Sequence, residues 1–139
     1  MTVARITPYV LYEDVAAALE WLDKAFGFHE TRRFEDENGI VTHAEMEFQR
    51  EPIFMGYPGP EFKSPRRLGQ GTQQVHVYVD DVDEHFERAR EAGAVIVAEP
   101  KDQAYGDRRY DVQDLEGHLW SFAQPLREVP AEERGATKA

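Results

Sequence analysis

The chain has no cysteine, which excludes disulfides, zinc–thiolate centres and a thiol nucleophile. It is short of positive charge: 16 Lys and Arg stand against 27 Asp and Glu, a formal net charge of −11. That balance argues against gripping a nucleic-acid backbone, which needs clustered Lys and Arg. It leaves small ligands open and favours cationic ones. No apolar run approaches the ~20 residues that span a bilayer. The N-terminal MTVARITPYV lacks the apolar stretch of a signal peptide, so the cytoplasm is the expected compartment and no membrane partner is expected. What is present suits a globular protein: 139 residues, 41% hydrophobic and 12% aromatic, enough for one domain with a substantial core.

The most informative feature is a repeat. Residues 10–26 (VLYEDVAAALEWLDKAF) and 77–93 (VYVDDVDEHFERAREAG) share five of 17 positions at an offset of 67. The matches are Val10/Val77, Asp14/Asp81, Val15/Val82, Glu20/Glu87 and Ala25/Ala92. A fixed-offset repeat outranks local propensity as a guide to fold. The repeated unit reads as a strand followed by an Asp-capped helix. In the first copy, Val15, Ala18, Leu19, Leu22 and Phe26 make the buried helical stripe and Gly27 ends it. In the second, Val82, Phe86 and Ala89 make the stripe, Glu84 completes an acidic capping box, and Gly93 stops the helix. His85 beside that stripe reads as surface.

The first copy continues with strands over 28–36, 40–49 and 52–57, with Asn38-Gly39 as a hairpin turn. The second continues with strands at 94–98, 107–113 and 118–124. The predicted class is α+β: two βαβββ modules in tandem whose curved mixed sheets share a concave cleft. A single domain spans 1–126. Module one covers 6–57, opening on a strand at 6–12, and module two covers 74–125, opening on a strand at 74–80. The Pro- and Gly-rich connection 58–73 lacks periodicity. Residues 127–139 read as a flexible tail.

This βαβββ repeat resembles the vicinal oxygen chelate superfamily, which includes glyoxalase I, bleomycin-resistance proteins, fosfomycin-resistance enzymes and extradiol dioxygenases. The turn Asp114-Leu115-Glu116-Gly117-His118 is similar to the family's Asp-Pro-Asp-Gly turn before the last strand. The segment Tyr105-Gly106-Asp107-Arg108-Arg109 is similar to a subset of glyoxalase-like proteins without an assigned activity. The resemblance covers residues 6–125. It implies four inward positions that bind one divalent cation in metal-dependent members. Counted from the helix-capping Asp or the turn, they fall on Thr7, Phe54, Gln74 and Ser121. None is an imidazole or a carboxylate, the ligands such a cation prefers. No cofactor is therefore expected, with a divalent metal as the alternative. The resemblance also implies a homodimer in which facing modules complete the sheets.

Alternation along the strands gives the remaining candidates. If Gln74 faces the cleft, so do His76 and Tyr78, while Val75, Val77 and Val79 face the helices. Thr7 brings Tyr9 and Leu11 with it. Ser121 brings Leu119 and Ala123. On strand 40–49, His43, Glu45 and Glu47 oppose Ala44, Met46 and Phe48. Arg109 and Asp111 fall on the cleft side by family analogy. The expected ligand-binding set is Thr7, Tyr9, His43, Glu45, Phe54, Gln74, His76, Tyr78, Arg109, Asp111 and Ser121. His76 and Glu45 are the candidates for proton chemistry. Met55, Tyr57 and Phe62 suit either an apolar lid or the core. Two functions stay open. One is a small-molecule-binding protein that sequesters an antibiotic or aromatic ligand without the usual metal. The other is a metal-dependent lyase, isomerase or dioxygenase with a displaced site.

Overall fold

The computed structural model describes residues 3–136. Each half of the chain folds as a strand, a helix and three strands. The first half holds β1 (Tyr9–Leu11), α1 (Val15–Phe26), β2 (His29–Glu35), β3 (Val41–Phe48) and β4 (Glu51–Gly56). The second holds β5 (Gln74–Tyr78), α3 (Val82–Glu91), β6 (Val95–Asp102), β7 (Asp107–Gln113) and β8 (Leu119–Pro125). A short helix, α2 (Pro65–Leu68), interrupts the connection, where the lack of periodicity predicts no element. The sheets have matching orders, β1-β4-β3-β2 and β5-β8-β7-β6. In each, the first strand runs parallel to the last and the other pairs are antiparallel. The α+β class and the tandem modules are as expected.

The offset of 67 holds in three dimensions. Tyr9 pairs with Phe54, and the residues 67 later, His76 and Ser121, pair with each other. The helices start alike. The Asp14 carboxylate accepts from Ala17 N–H at 3.0 Å and the Asp81 carboxylate from Glu84 N–H at 3.1 Å, which satisfies free donors of the first turn. Gly27 ends α1 at φ 78°, a left-handed position that glycine takes without strain.

One core serves both modules. The helices touch each other, and Phe26 at the end of α1 packs edge-on against Trp120 and Phe122 of β8. Phe28 meets the same pair, and Tyr12, Tyr110 and Val112 are fully buried. Met55 is fully buried too, so it belongs to the core and not to a lid. Trp21 packs on Phe26 with ring centroids 5.1 Å apart. The outer side of each sheet is left open.

Several local expectations change. The first strand is shorter than 6–12 because Pro8 has no N–H for a ladder; its carbonyl still accepts from Phe54 N–H at 2.9 Å. The strand expected at 94–98 extends to Asp102, and that at 74–80 stops at Tyr78. The expected tail begins later than residue 127. Leu126 and Arg127 N–H donate to Gly106 C=O, Val129 is buried, and Ala131–Arg134 form a 3₁₀ turn. Residues 137–139 lie outside the described part. The β3–β4 turn is made by Gln49 (φ 49°) and Arg50 (φ 73°), left-handed residues without glycine's ease.

His85 is not on the surface. It is 9% exposed and lies against the Phe122 ring at 4.0 Å. Its Nδ1 is 2.6 Å from the Tyr110 hydroxyl and its Nε2 is 3.0 Å from the Phe26 carbonyl. The carbonyl only accepts, so Nε2 carries the proton and Tyr110 donates to Nδ1. Burial pushes the imidazole down from 6.5 to about 4. Between those values the unfolded chain holds more protons than the folded one, so stability falls as pH drops through that window. The full loss amounts to about 3 kcal/mol. Chemical denaturation of the wild type against His85→Gln, from pH 7 to pH 4, should show a steeper loss in the wild type. Parallel pH profiles would contradict the assignment.

Candidate functional site

The open side of sheet one carries a connected cluster. Tyr9 Oη lies 2.7 Å from His43 Nδ1, and His43 Nε2 lies 2.9 Å from Glu45 Oε2. The other Glu45 oxygen is 3.5 Å from Arg32 Nε. Around this chain of polar contacts the rings meet at tilted or edge-on angles. Ring centroids stand at 5.4 Å for Tyr9–His43, 5.9 Å for Tyr9–Phe54 and 5.4 Å for His43–Phe54. Phe34, from β2, adds a fourth ring 5.8 Å from His43. Register explains the grouping. Phe54 is opposite Tyr9 on one side and Glu45 on the other, while His43 is opposite Phe34. Tyr9 is 53% exposed and Phe34 50%, so the cluster faces outward.

Gly56 makes room for Tyr9. A Cβ at Gly56 would stand 2.7 Å from Tyr9 Cε1 and 3.0 Å from its hydroxyl, closer than atoms pack.

The open side of sheet two has the matching layout with different chemistry. His76 Nδ1 lies 2.6 Å from Ser121 Oγ, and Tyr78 donates to Asp107 Oδ2 at 3.0 Å. Arg109 Nε donates to Asp111 Oδ1 at 2.9 Å. Burial, then the Arg109 charge, depress the His76 imidazole, with Asp107 and Asp111 opposing. The bond to Asp107 raises the Tyr78 phenol. Register makes Glu45 the counterpart of Asp111, and His43 that of Arg109. Each sheet thus holds a base two residues before an acid on its third strand.

A cleft of about 630 Å³ lies where the approach to β1, the start of β5 and the connecting segment converge. Its walls include Ile6, Leu11, Phe62, Leu68 and Leu119. Of the expected residues, Thr7, Tyr9, Gln74 and His76 line it. Tyr9 and His76 therefore connect the cleft to the two open faces. His43, Glu45 and Phe54 belong to the first face; Tyr78, Arg109 and Asp111 belong to the second. Ser121 is fully buried beneath His76. Among the described residues no hydrogen bond joins the two faces. Phe34 and Arg32 were not among the sequence candidates. Nothing in the sequence marks them, because every position of β2 is exposed and its two faces do not alternate in burial.

The four positions implied for a metal do not make a donor set. Thr7 and Gln74 line the cleft, Phe54 offers a ring, and the buried Ser121 hydroxyl is already paired. Among the described residues no group of three His, Asp or Glu has metal-binding geometry. A dication there would lose hydration with no anion to replace it.

A family model described as the glyoxalase/bleomycin resistance protein/dioxygenase superfamily matches residues 3–122. The chain belongs to that superfamily. An uncharacterised protein of Mycobacterium bovis is 34% identical over 133 residues, covering 92% of this chain and 88% of its own. Among solved structures, TioX from Micromonospora sp. ML1 is 35% identical, with a TM-score of 0.73 over 89% of this chain and 100% of its own. TnmS3, an antibiotic binding protein from Streptomyces sp. CB03234, is 20% identical, with a TM-score of 0.65 over 90% of this chain and 98% of its own. At that identity TnmS3 shares the fold.

The Gly56 contact gives a direct test of the first cluster. Gly56→Ala should displace the half-exposed Tyr9 ring and break its bond to His43, with only a small fall in melting temperature. The imidazole ¹⁵N shifts of His43 should then change. Unchanged shifts would show that Tyr9 and His43 are not coupled.

Proposed function

We propose that this protein binds a flat, aromatic small molecule and sequesters it without a metal. The observation that carries the reading is the outward-facing group of Tyr9, Phe34, His43 and Phe54. Exposed rings held together on a rigid sheet offer apolar contact at low entropic cost. Polar atoms on Tyr9 and Glu45 of this face, and on His76 and Arg109 of the second face, supply orientation, the usual division of labour in a ligand site. The family hosts both binding proteins and enzymes, so membership alone does not choose between them. The donor set favours binding, since the expected metal positions carry no anion. That TnmS3 is an antibiotic binding protein is consistent with such use of this fold and says no more.

Titration with flat tricyclic aromatics (acridine, phenazine, carbazole), followed by quenching of protein fluorescence, should give saturable binding. Phe34→Ala and Phe54→Ala should each weaken it by about 1–3 kcal/mol, the scale of a lost buried aromatic contact. EDTA should leave both binding and melting temperature unchanged. A large fall in melting temperature on chelation, restored by one metal, would instead favour a metal-dependent lyase, isomerase or dioxygenase.

The proposal includes a homodimer. In each sheet the first strand is an edge, and Ile6 (91% exposed), Leu68 (60%) and Tyr78 (54%) leave apolar surface uncovered. A second copy would cover it and close the open faces into two equivalent sites. Sedimentation equilibrium should give twice the 16.0 kDa chain mass. A monomer at micromolar concentration would confine each site to one chain.

A further inference from the structure

The hydrogen-bond chain at Tyr9 fixes what kind of atom the site can accept. Glu45 as a carboxylate is acceptor-only, so its 2.9 Å contact requires the proton on His43 Nε2. A neutral imidazole with its proton there has a bare lone pair on Nδ1. With His43 in that neutral form, the Tyr9 hydroxyl, 2.7 Å from that nitrogen, donates to it. A phenol has one proton, and Tyr9 has spent it inward. What it turns toward the cleft is oxygen lone pairs. Tyr78 on the other face is in the same position, since its hydroxyl donates to Asp107.

We infer that Tyr9 is a specificity-determining acceptor: the flat ligand carries an N–H or O–H donor at the edge that meets Tyr9. The inference rests on the stacking site proposed above and adds its polarity. A ligand edge with only lone pairs would face the lone pairs of Tyr9 and lose its hydration without a bond in return. His43 and Glu45 act as positioning residues. They set the direction of the Tyr9 proton through Nε2, as the acidic member of a triad sets a tautomer. Arg32 lies at the Glu45 end of the chain, 3.5 Å from its carboxylate.

Carbazole and dibenzofuran provide the test, because both are neutral, flat and nearly isosteric. Carbazole has an N–H where dibenzofuran has an ether oxygen. The wild type should bind carbazole at least tenfold more tightly. Tyr9→Phe keeps the ring and removes the acceptor, so carbazole should fall to the dibenzofuran value. His43→Phe keeps a ring against Tyr9 and frees the phenolic proton to turn outward. Dibenzofuran should then gain, and the gap should narrow. Thermal melts of both variants establish that they are folded. Equal wild-type affinities, or a gap that survives Tyr9→Phe, would overturn the assigned polarity while leaving the stacking site intact. Failure of carbazole and dibenzofuran alike to bind would overturn both.

Discussion

A single buried carboxylate ties the two modules together. Asp114 is 1% exposed and accepts four hydrogen bonds. They come from the Tyr12 hydroxyl at 2.6 Å, Trp120 Nε1 at 3.0 Å, and the N–H groups of Glu116 and His118 at 3.0 Å each. An ionised group so deep costs several kcal/mol to desolvate, and only a full set of donors offsets that cost. Tyr12 follows β1, whereas Trp120 is the second residue of β8, so one side chain holds both halves. Its neighbour extends the grip. Glu116 accepts from Glu13 and Asp14 N–H at the start of α1, and its carbonyl accepts from Arg66 N–H in α2. Glu13 in turn accepts from Ser64 N–H and Arg67; the Ser64 hydroxyl, then Arg67 and the Ser64 N–H, lower its carboxyl to about 2. Gly117 stands at φ 88°, and a Cβ there would meet Arg66 N at 2.8 Å. The turn therefore needs glycine for both its backbone and its neighbour.

The candidate site follows from this knot. It sets β1 and β5 either side of the cleft, so that Tyr9 and His76 stand at equivalent places in the two halves. The repeat has diverged there in chemistry and not in position. One half has rings around a histidine and a glutamate. The other has a serine-backed histidine and an arginine–aspartate pair. Two equal sheets would offer one environment twice; these offer an aromatic, acceptor-rich face and a face that contains a fixed cation.

The fold was legible in the sequence wherever a physical requirement fell on particular residues. Asp14 and Asp81 had to cap helices, Gly117 had to make a turn, and Val75 and Val77 had to pack inward if His76 and Tyr78 did not. His85 was misread because its polarity was weighed above its place in the repeat. Counting back 67 lands on Ala18, which is fully buried, and the same stripe carries both. The Gln49–Arg50 turn has no glycine or asparagine to announce it. The site was only partly legible. Strand alternation placed Tyr9, His43 and Glu45 on one side of their strands, but their hydrogen bonds depend on cross-strand register. Phe34 gave no signal because every residue of β2 is exposed, which leaves no alternation to read.

The central claim is that the open face of sheet one is a stacking platform for a flat ligand. The most direct measurement is intermolecular nuclear Overhauser contacts from bound carbazole to protein ring protons. The account predicts contacts to Tyr9, Phe34, His43 and Phe54 together. Contacts confined to Phe62 and Leu68 at the connecting segment would contradict it, and would place the ligand in the cleft away from that face.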